Sequence, residues 1–213
     1  MKKPTKKEIA IMAVEALKKE YPDALCSLDY SSPLQLIIAA RLSAQCTDAR
    51  VNLVTPALFE RYKTVEDFAN ADPDEVAKYI HSCGFYATKS RDIVGMCQMM
   101  VENYGGELPD TMDELLKLPG IGRKTANLIM GDVYGKPAVV TDTHMIRLSN
   151  RLGLVKTKDP KRVEEAMRRL LPAEESNDFC HRTVLHGRAV CTARKAHCDK
   201  CCMADFCPKN IHI

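Results

Sequence analysis

Leu118-Pro119-Gly120-Ile121-Gly122-Arg123-Lys124-Thr125-Ala126 joins two short segments of helical periodicity. Glycine lets the backbone adopt conformations closed to other residues and approach a ligand closely, so Gly120 and Gly122 predict a tight hairpin. A helix leads in from Thr111, with Glu114 placed to complete a capping box. A second helix leaves from about Arg123 and carries Ala126, Ile129, Met130 and Val133 on one side. The first amides of that helix have no partner within it and form an anion site, with Arg123 and Lys124 as two cations beside it. A phosphodiester backbone suits such a surface. The plainer reading of a lone Gly-x-Gly is a tight helix–helix turn with solvated cations, and the rest of the chain has to choose between the two.

Working outward, the chain reads as all-α. Thr5 and Glu8 form a capping box for an amphipathic helix ending at Pro22, with Ile9, Met12, Ala13, Ala16 and Leu17 as its stripe. Ser32-Pro33 opens a helix that is apolar nearly all round and therefore central. Ser43-Ala44-Gln45-Cys46-Thr47-Asp48 is a polar turn, with Thr47 or Asp48 as the next N-cap, and the helix after it is expected to break near Pro56. Short helices follow from Thr64 and Pro73. Cys83-Gly84-Phe85-Tyr86 places two aromatics at the tip of a turn before a long helix that Gly105-Gly106 stops. After the hairpin unit, Gly135-Lys136-Pro137 turns the chain, and further helices start near Thr143, Pro160 and Asn177. No alternating strand pattern and no solenoid repeat is visible.

The 213 residues suffice for one or two domains with a proper core. No apolar run reaches membrane-spanning length and the N-terminus lacks a signal-peptide segment, so the expected location is the cytoplasm, associated with the nucleoid. Net charge is only +3, but from Pro137 onward there are fourteen Lys and Arg against nine Asp and Glu. Both ends are basic and the middle is not, which suits nucleic acid as well as an ordinary solvated face.

Ten cysteines in a chain of this size point to metal or free thiols rather than to a disulfide framework. Cys191, Cys198, Cys201 and Cys207 follow a C-x6-C-x2-C-x5-C order, and four thiolates on one loop bind a soft metal centre. Spacing alone leaves the metal open: zinc favours two C-x2-C knuckles and only one is present, whereas an iron–sulfur cluster accepts looser spacing. Cys202 falls outside the pattern. The loop between the first two ligands is basic, with Arg194 and Lys195 placed to meet phosphates.

Lys124 also has a chemical reading. At a reference pKa of about 10.4, an ordinary lysine is almost wholly protonated at neutral pH. Burial beside a second cation, here Arg123, would expose a nucleophilic amine. Asp142 opens a helix and reads either as its N-cap or as a carboxylate able to stabilise positive charge on a sugar.

The hairpin, the Val140-Thr141-Asp142-Thr143-His144 segment and the cysteine order together resemble the endonuclease III family of helix-hairpin-helix DNA glycosylases, over about Ser31 to Cys207. The resemblance implies Lys124 as nucleophile, Asp142 as catalytic carboxylate and one 4Fe–4S cluster on the four cysteines. His144 is read as structural. DNA contacts are implied from Leu118, Gly120, Gly122, Arg123, Arg194 and Lys195, with Gln45 and Phe85 filling the gap left by an extruded base. The family often has leucine at the position of Phe85, so the wedge here differs. The implied fold is a six-helix barrel over residues 26–136, with residues 1–25 and 137–213 forming a helical cluster domain. The implied activity is excision of oxidised pyrimidines from double-stranded DNA and nicking at abasic sites by a monomer with no membrane partner. Adenine glycosylases of the same fold lack the lysine and carry an extra C-terminal domain. Mismatch-directed relatives usually lack the lysine, and 8-oxoguanine lyases generally lack the cluster. A non-catalytic DNA-binding module would need the hairpin and the cysteines but not Lys124 together with Asp142.

Overall fold

A computed structural model describes residues 4–211 and is helical, with no strand among the described residues and one isolated bridge between Cys191 and Ala196. The chain divides into two compact units, Cys26–Tyr134 and Met1–Leu25 with Gly135–Ile213. The later boundary expected from the sequence lies at 136, against 134 in the structure.

In the Cys26–Tyr134 unit, α2 (Pro33–Leu42) is capped by Ser32 and buries Leu36, Ile37, Ile38, Ala39, Ala40 and Leu42. Such all-round burial is what a helix without a polar face requires. Helix α3 (Asp48–Arg61) is capped by Thr47 and runs through Pro56 without a break. This corrects the expected interruption: proline removes one hydrogen bond, but the helix is held on both sides of it by the buried Val51, Thr55 and Leu58. Helices α4 (Val65–Ala69) and α5 (Pro73–Ile80) both pack on α6 (Tyr86–Tyr104), and a 3-10 turn over His81–Cys83 links α5 to the Phe85 tip. Gly105, in the left-handed region at φ 61°, ends α6. The short α7 (Met112–Leu115) and α8 (Arg123–Asp132) flank the hairpin, and α8 packs on α2 and α7.

In the other unit, α1 (Lys6–Glu20) starts with the full Thr5–Glu8 capping box. It joins α9 (Thr143–Arg151), α10 (Pro160–Leu170) and α11 (Ser176–Ala189) around a core that includes Leu17, Leu148, Val163, Met167 and Phe179. Cys191, Cys201 and Cys207 sit against the margin of that core.

Candidate active site and cysteine-lined cavity

The hairpin is built by unequal glycines. Gly120 has φ 73°, and a Cβ there would lie 2.5 Å from Arg41 Nε and 2.8 Å from Asp92 Oδ2. Arg41 is not free to yield, because its guanidinium is paired with the Asp92 carboxylate, Nε to Oδ2 at 2.9 Å, linking α2 to α6 beneath the turn. Gly122 has φ −103° and ψ 174°, extended backbone open to any residue, and nothing lies within 4 Å of an added Cβ. The conformational argument made for both glycines therefore holds only for Gly120. Gly122 serves instead as an N-cap with no side chain, so the first amides of α8 receive no side-chain cap.

Leu118 and Ile121 are buried and anchor the hairpin, with the Ile121 amide donating to the Leu118 carbonyl at 3.1 Å. The Leu118 side chain belongs to the core, which leaves its backbone as the part of this residue that can face DNA. Before the hairpin, Thr111 caps the Glu114 amide, but the Glu114 carboxylate turns to Tyr104 Oη and Lys117 Nζ. Two stronger donors have taken the acceptor that the expected capping box needed.

Lys124 is exposed in the first turn of α8, beside a half-buried Arg123. The burial expected for it is absent from this structure. Gln45 and Phe85 are exposed as well, Phe85 at 65%. Both hold left-handed backbones, φ 54° and 49°. Non-glycine residues rarely take that conformation, at a cost of about 1–3 kcal/mol when surroundings enforce it, and it clusters at working sites.

Asp142 lies in the other unit, half-buried, and its Oδ1 accepts the Met145 amide at 2.8 Å as the N-cap of α9. His144 Nδ1 lies 3.0 Å from Arg147 Nη2 and packs against Gly187, where a Cβ would come within 2.4 Å of it.

The four cysteines of the pattern line one cavity, about 390 Å³ including space open to solvent, and Cys202 does not line it. All are free thiols. Among the described residues, no three Cys, His, Asp or Glu side chains close around a point that could hold one metal ion. Four thiols lining one cavity are the donor set that an iron–sulfur cluster takes. Their surroundings were not foreseen from sequence. Arg151 Nη1 reaches Cys191 Sγ at 3.1 Å and the Thr192 carbonyl at 2.8 Å. His186 Nε2 lies 3.3 Å from Cys201 Sγ, and its Nδ1 lies 3.2 Å from Tyr21 Oη. Burial pushes the His186 pKa down to about 4. His186 stands five residues before Cys191, an offset that could have flagged it. Arg147 Nε donates to the Cys191 carbonyl at 3.0 Å. The exposed Arg194 and Lys195 project from the loop that Thr192 Oγ1 closes on the Lys195 backbone, at 2.7 and 3.1 Å.

Residues 38–173 match the family model of the HhH-GPD superfamily base excision DNA repair protein. The chain belongs to the HhH-GPD superfamily. It is 49% identical to endonuclease III of Synechocystis sp. over 97% of this chain and 95% of that one, and 43% identical to endonuclease III of Bacillus subtilis over 88% and 86%. A solved structure of a trapped endonuclease III–DNA covalent intermediate is 40% identical, superposes with a TM-score of 0.90, and is matched over 97% of both chains. This HhH-GPD protein is a DNA glycosylase and AP lyase of base excision repair, and it binds DNA. A non-catalytic reading is not favoured.

Proposed function

We propose that this HhH-GPD enzyme excises oxidised pyrimidines from duplex DNA through Lys124 and then cleaves the strand at the resulting abasic site. The observation that carries the reading is Lys124 in the first turn of α8, two residues after a glycine cap that leaves the helix start to a phosphate. Gly122 amide-side backbone and Arg123 hold the phosphodiester, and Lys124 stands next to the sugar so placed. The exposed amine is desolvated by the DNA itself, and that loss of water together with Arg123 favours the neutral, nucleophilic form.

The Lys124 Nζ lone pair attacks C1′, the glycosidic bond breaks, and the base leaves with the bonding pair and takes up a proton. The amine loses a proton and the sugar ring opens to a Schiff base. The iminium acidifies C2′, whose proton is removed as the C3′–O bond breaks, the phosphate leaving as the 5′-phosphate end of the downstream strand, and water then hydrolyses the imine to free Lys124 and leave an unsaturated aldehyde on the upstream strand. Asp142 stabilises the cationic sugar and assists proton transfer, a role compatible with its capping bond, which uses one of two carboxylate oxygens. Gln45 and Phe85 enter the duplex where the base has left.

Cys191, Cys198, Cys201 and Cys207 hold one 4Fe–4S cluster, a soft iron centre that ties the C-terminal loop to its unit. Arg151 and His186 supply N–H groups to its sulfur ligands. The loop so fixed presents Arg194 and Lys195 to DNA phosphates.

Borohydride trapping on duplexes carrying one abasic site or one thymine glycol tests the proposal. Wild type should yield a covalent adduct and a nick, whereas Lys124→Gln should yield neither while still binding abasic DNA. No adduct from wild type that binds tightly and retains its cluster overturns the lysine mechanism.

A further inference from the structure

Lys89, near the start of α6, is 1% exposed. A buried ammonium must be satisfied by acceptors, and its Nζ donates to the Leu42 carbonyl at 2.7 Å and the Cys83 carbonyl at 3.0 Å. Leu42 is the last residue of α2 and Cys83 the last of the 3-10 turn. Terminal carbonyls of this kind lack a donor within their own helix and favour a cation. Each also leads straight into a strained tip: Gln45 follows Leu42 by three residues and Phe85 follows Cys83 by two. Among the described residues the non-glycine positions with positive φ are Gln45, Phe85 and Lys209, so one side chain ties together the approaches to two of the three.

We propose that Lys89 is a positioning residue that holds the Gln45 and Phe85 tips in mutual register, so that it governs extrusion of the damaged base and leaves attack on the sugar to Lys124. This rests on the gap-filling reading of Gln45 and Phe85. A role confined to stabilising helix ends would reduce every step alike, by lowering the folded fraction. A positioning role acts only where a base has to be displaced. An abasic site has no base to extrude, so the two substrates separate the roles.

The experiment measures single-turnover cleavage of a duplex with one thymine glycol and of the same duplex with a preformed abasic site, using folded, cluster-loaded protein. Lys89→Met should lower the first rate about tenfold more than the second. Lys89→Arg, which keeps charge and donors, should recover most of that difference. Phe85→Ala should lower the same ratio in wild type and add little in the Lys89→Met background, because two residues acting through one contact are not additive. Equal losses on both substrates, or full additivity, overturn the proposal while leaving the gap-filling reading intact. If Phe85→Ala and Gln45→Ala both leave the ratio unchanged, the gap-filling reading fails and this proposal with it. Should Lys89→Met not fold, Lys89→Gln carries the same comparison.

Discussion

Gly120 and Gly122 look interchangeable in the sequence, yet substituting them should have opposite consequences. At Gly120 any side chain meets an unfavourable positive φ and the paired Arg41 and Asp92 side chains. Gly120→Ala should therefore destabilise the protein by about 2 kcal/mol or more, read as a lowered denaturation midpoint. Gly122 has ordinary backbone angles and open space around it. Gly122→Ser should leave stability within about half a kcal/mol, because serine is an equal or better N-cap. Its hydroxyl would then occupy an amide that a phosphate needs, so affinity for abasic duplex should fall, as a binding titration would show. Matching losses of stability and binding at both positions would contradict this division of labour. The hairpin itself was legible from composition, but its asymmetry was not. Arg41 and Asp92 sit 79 and 28 residues before Gly120, and no local pattern announces that they meet beneath it.

At the scale of elements, what the sequence made readable was short-range. Thr5, Ser32, Thr47 and Asp159 cap their helices as their spacing predicts, because an N-cap bonds an amide only two or three residues ahead. The expectations that failed were those that tertiary contacts override. Pro56 is carried through α3 by the core on both sides, and Glu114 abandons its box for Tyr104 and Lys117. The tie between α1 and α11 is another long-range feature that spacing does not show. Glu175, in the 3-10 turn Ala173–Glu175, pairs with Lys18 of α1 and with Arg182 of α11, the latter at 2.8 Å. The bond from Lys18, followed by that from Arg182, holds its carboxyl below the ordinary 4.5. A carboxylate with a depressed folded-state pKa contributes stability that is fully present above the unfolded value and lost as pH falls through the folded one. Glu175→Gln should cost about 1–3 kcal/mol at pH 7, between the worth of an exposed pair and a buried one. Denaturation measured as a function of pH should show the gap from wild type closing below about pH 4.5. A gap that stays constant down to pH 3 would mean that packing, not charge, holds the joint.

For the molecule as a whole, net charge argues weakly for its partner, and the proposed contacts rest on where a few cations are placed. The total is only +3, too small to draw a polyanion by itself, so DNA affinity must come from a few placed cations. Arg123 and Lys124 stand at the start of α8, and Arg194 and Lys195 on the loop between the first two cysteines. Each cation that neutralises a phosphate releases counterions, and the logarithm of affinity falls with the logarithm of salt by about 0.9 per contact. Arg194→Ala and Lys195→Ala should each weaken binding to undamaged and abasic duplexes by similar factors and should each flatten the salt slope by about 1. The same substitutions should leave the single-turnover rate of bound abasic substrate nearly unchanged, because they position backbone and do not touch the sugar. The geometry of their loop makes the test sharp. Thr192 and the Cys191–Ala196 bridge fix the loop locally, while Arg147 and Arg151 fasten its Cys191 end to α9. Arg151→Met should therefore loosen the loop and mimic both alanine variants at once, flattening the slope by about 2 with Arg194 and Lys195 still present. An unchanged slope in Arg151→Met, with the loop charges shown to matter individually, would mean that the cysteine-bound group alone is enough to hold the loop in place.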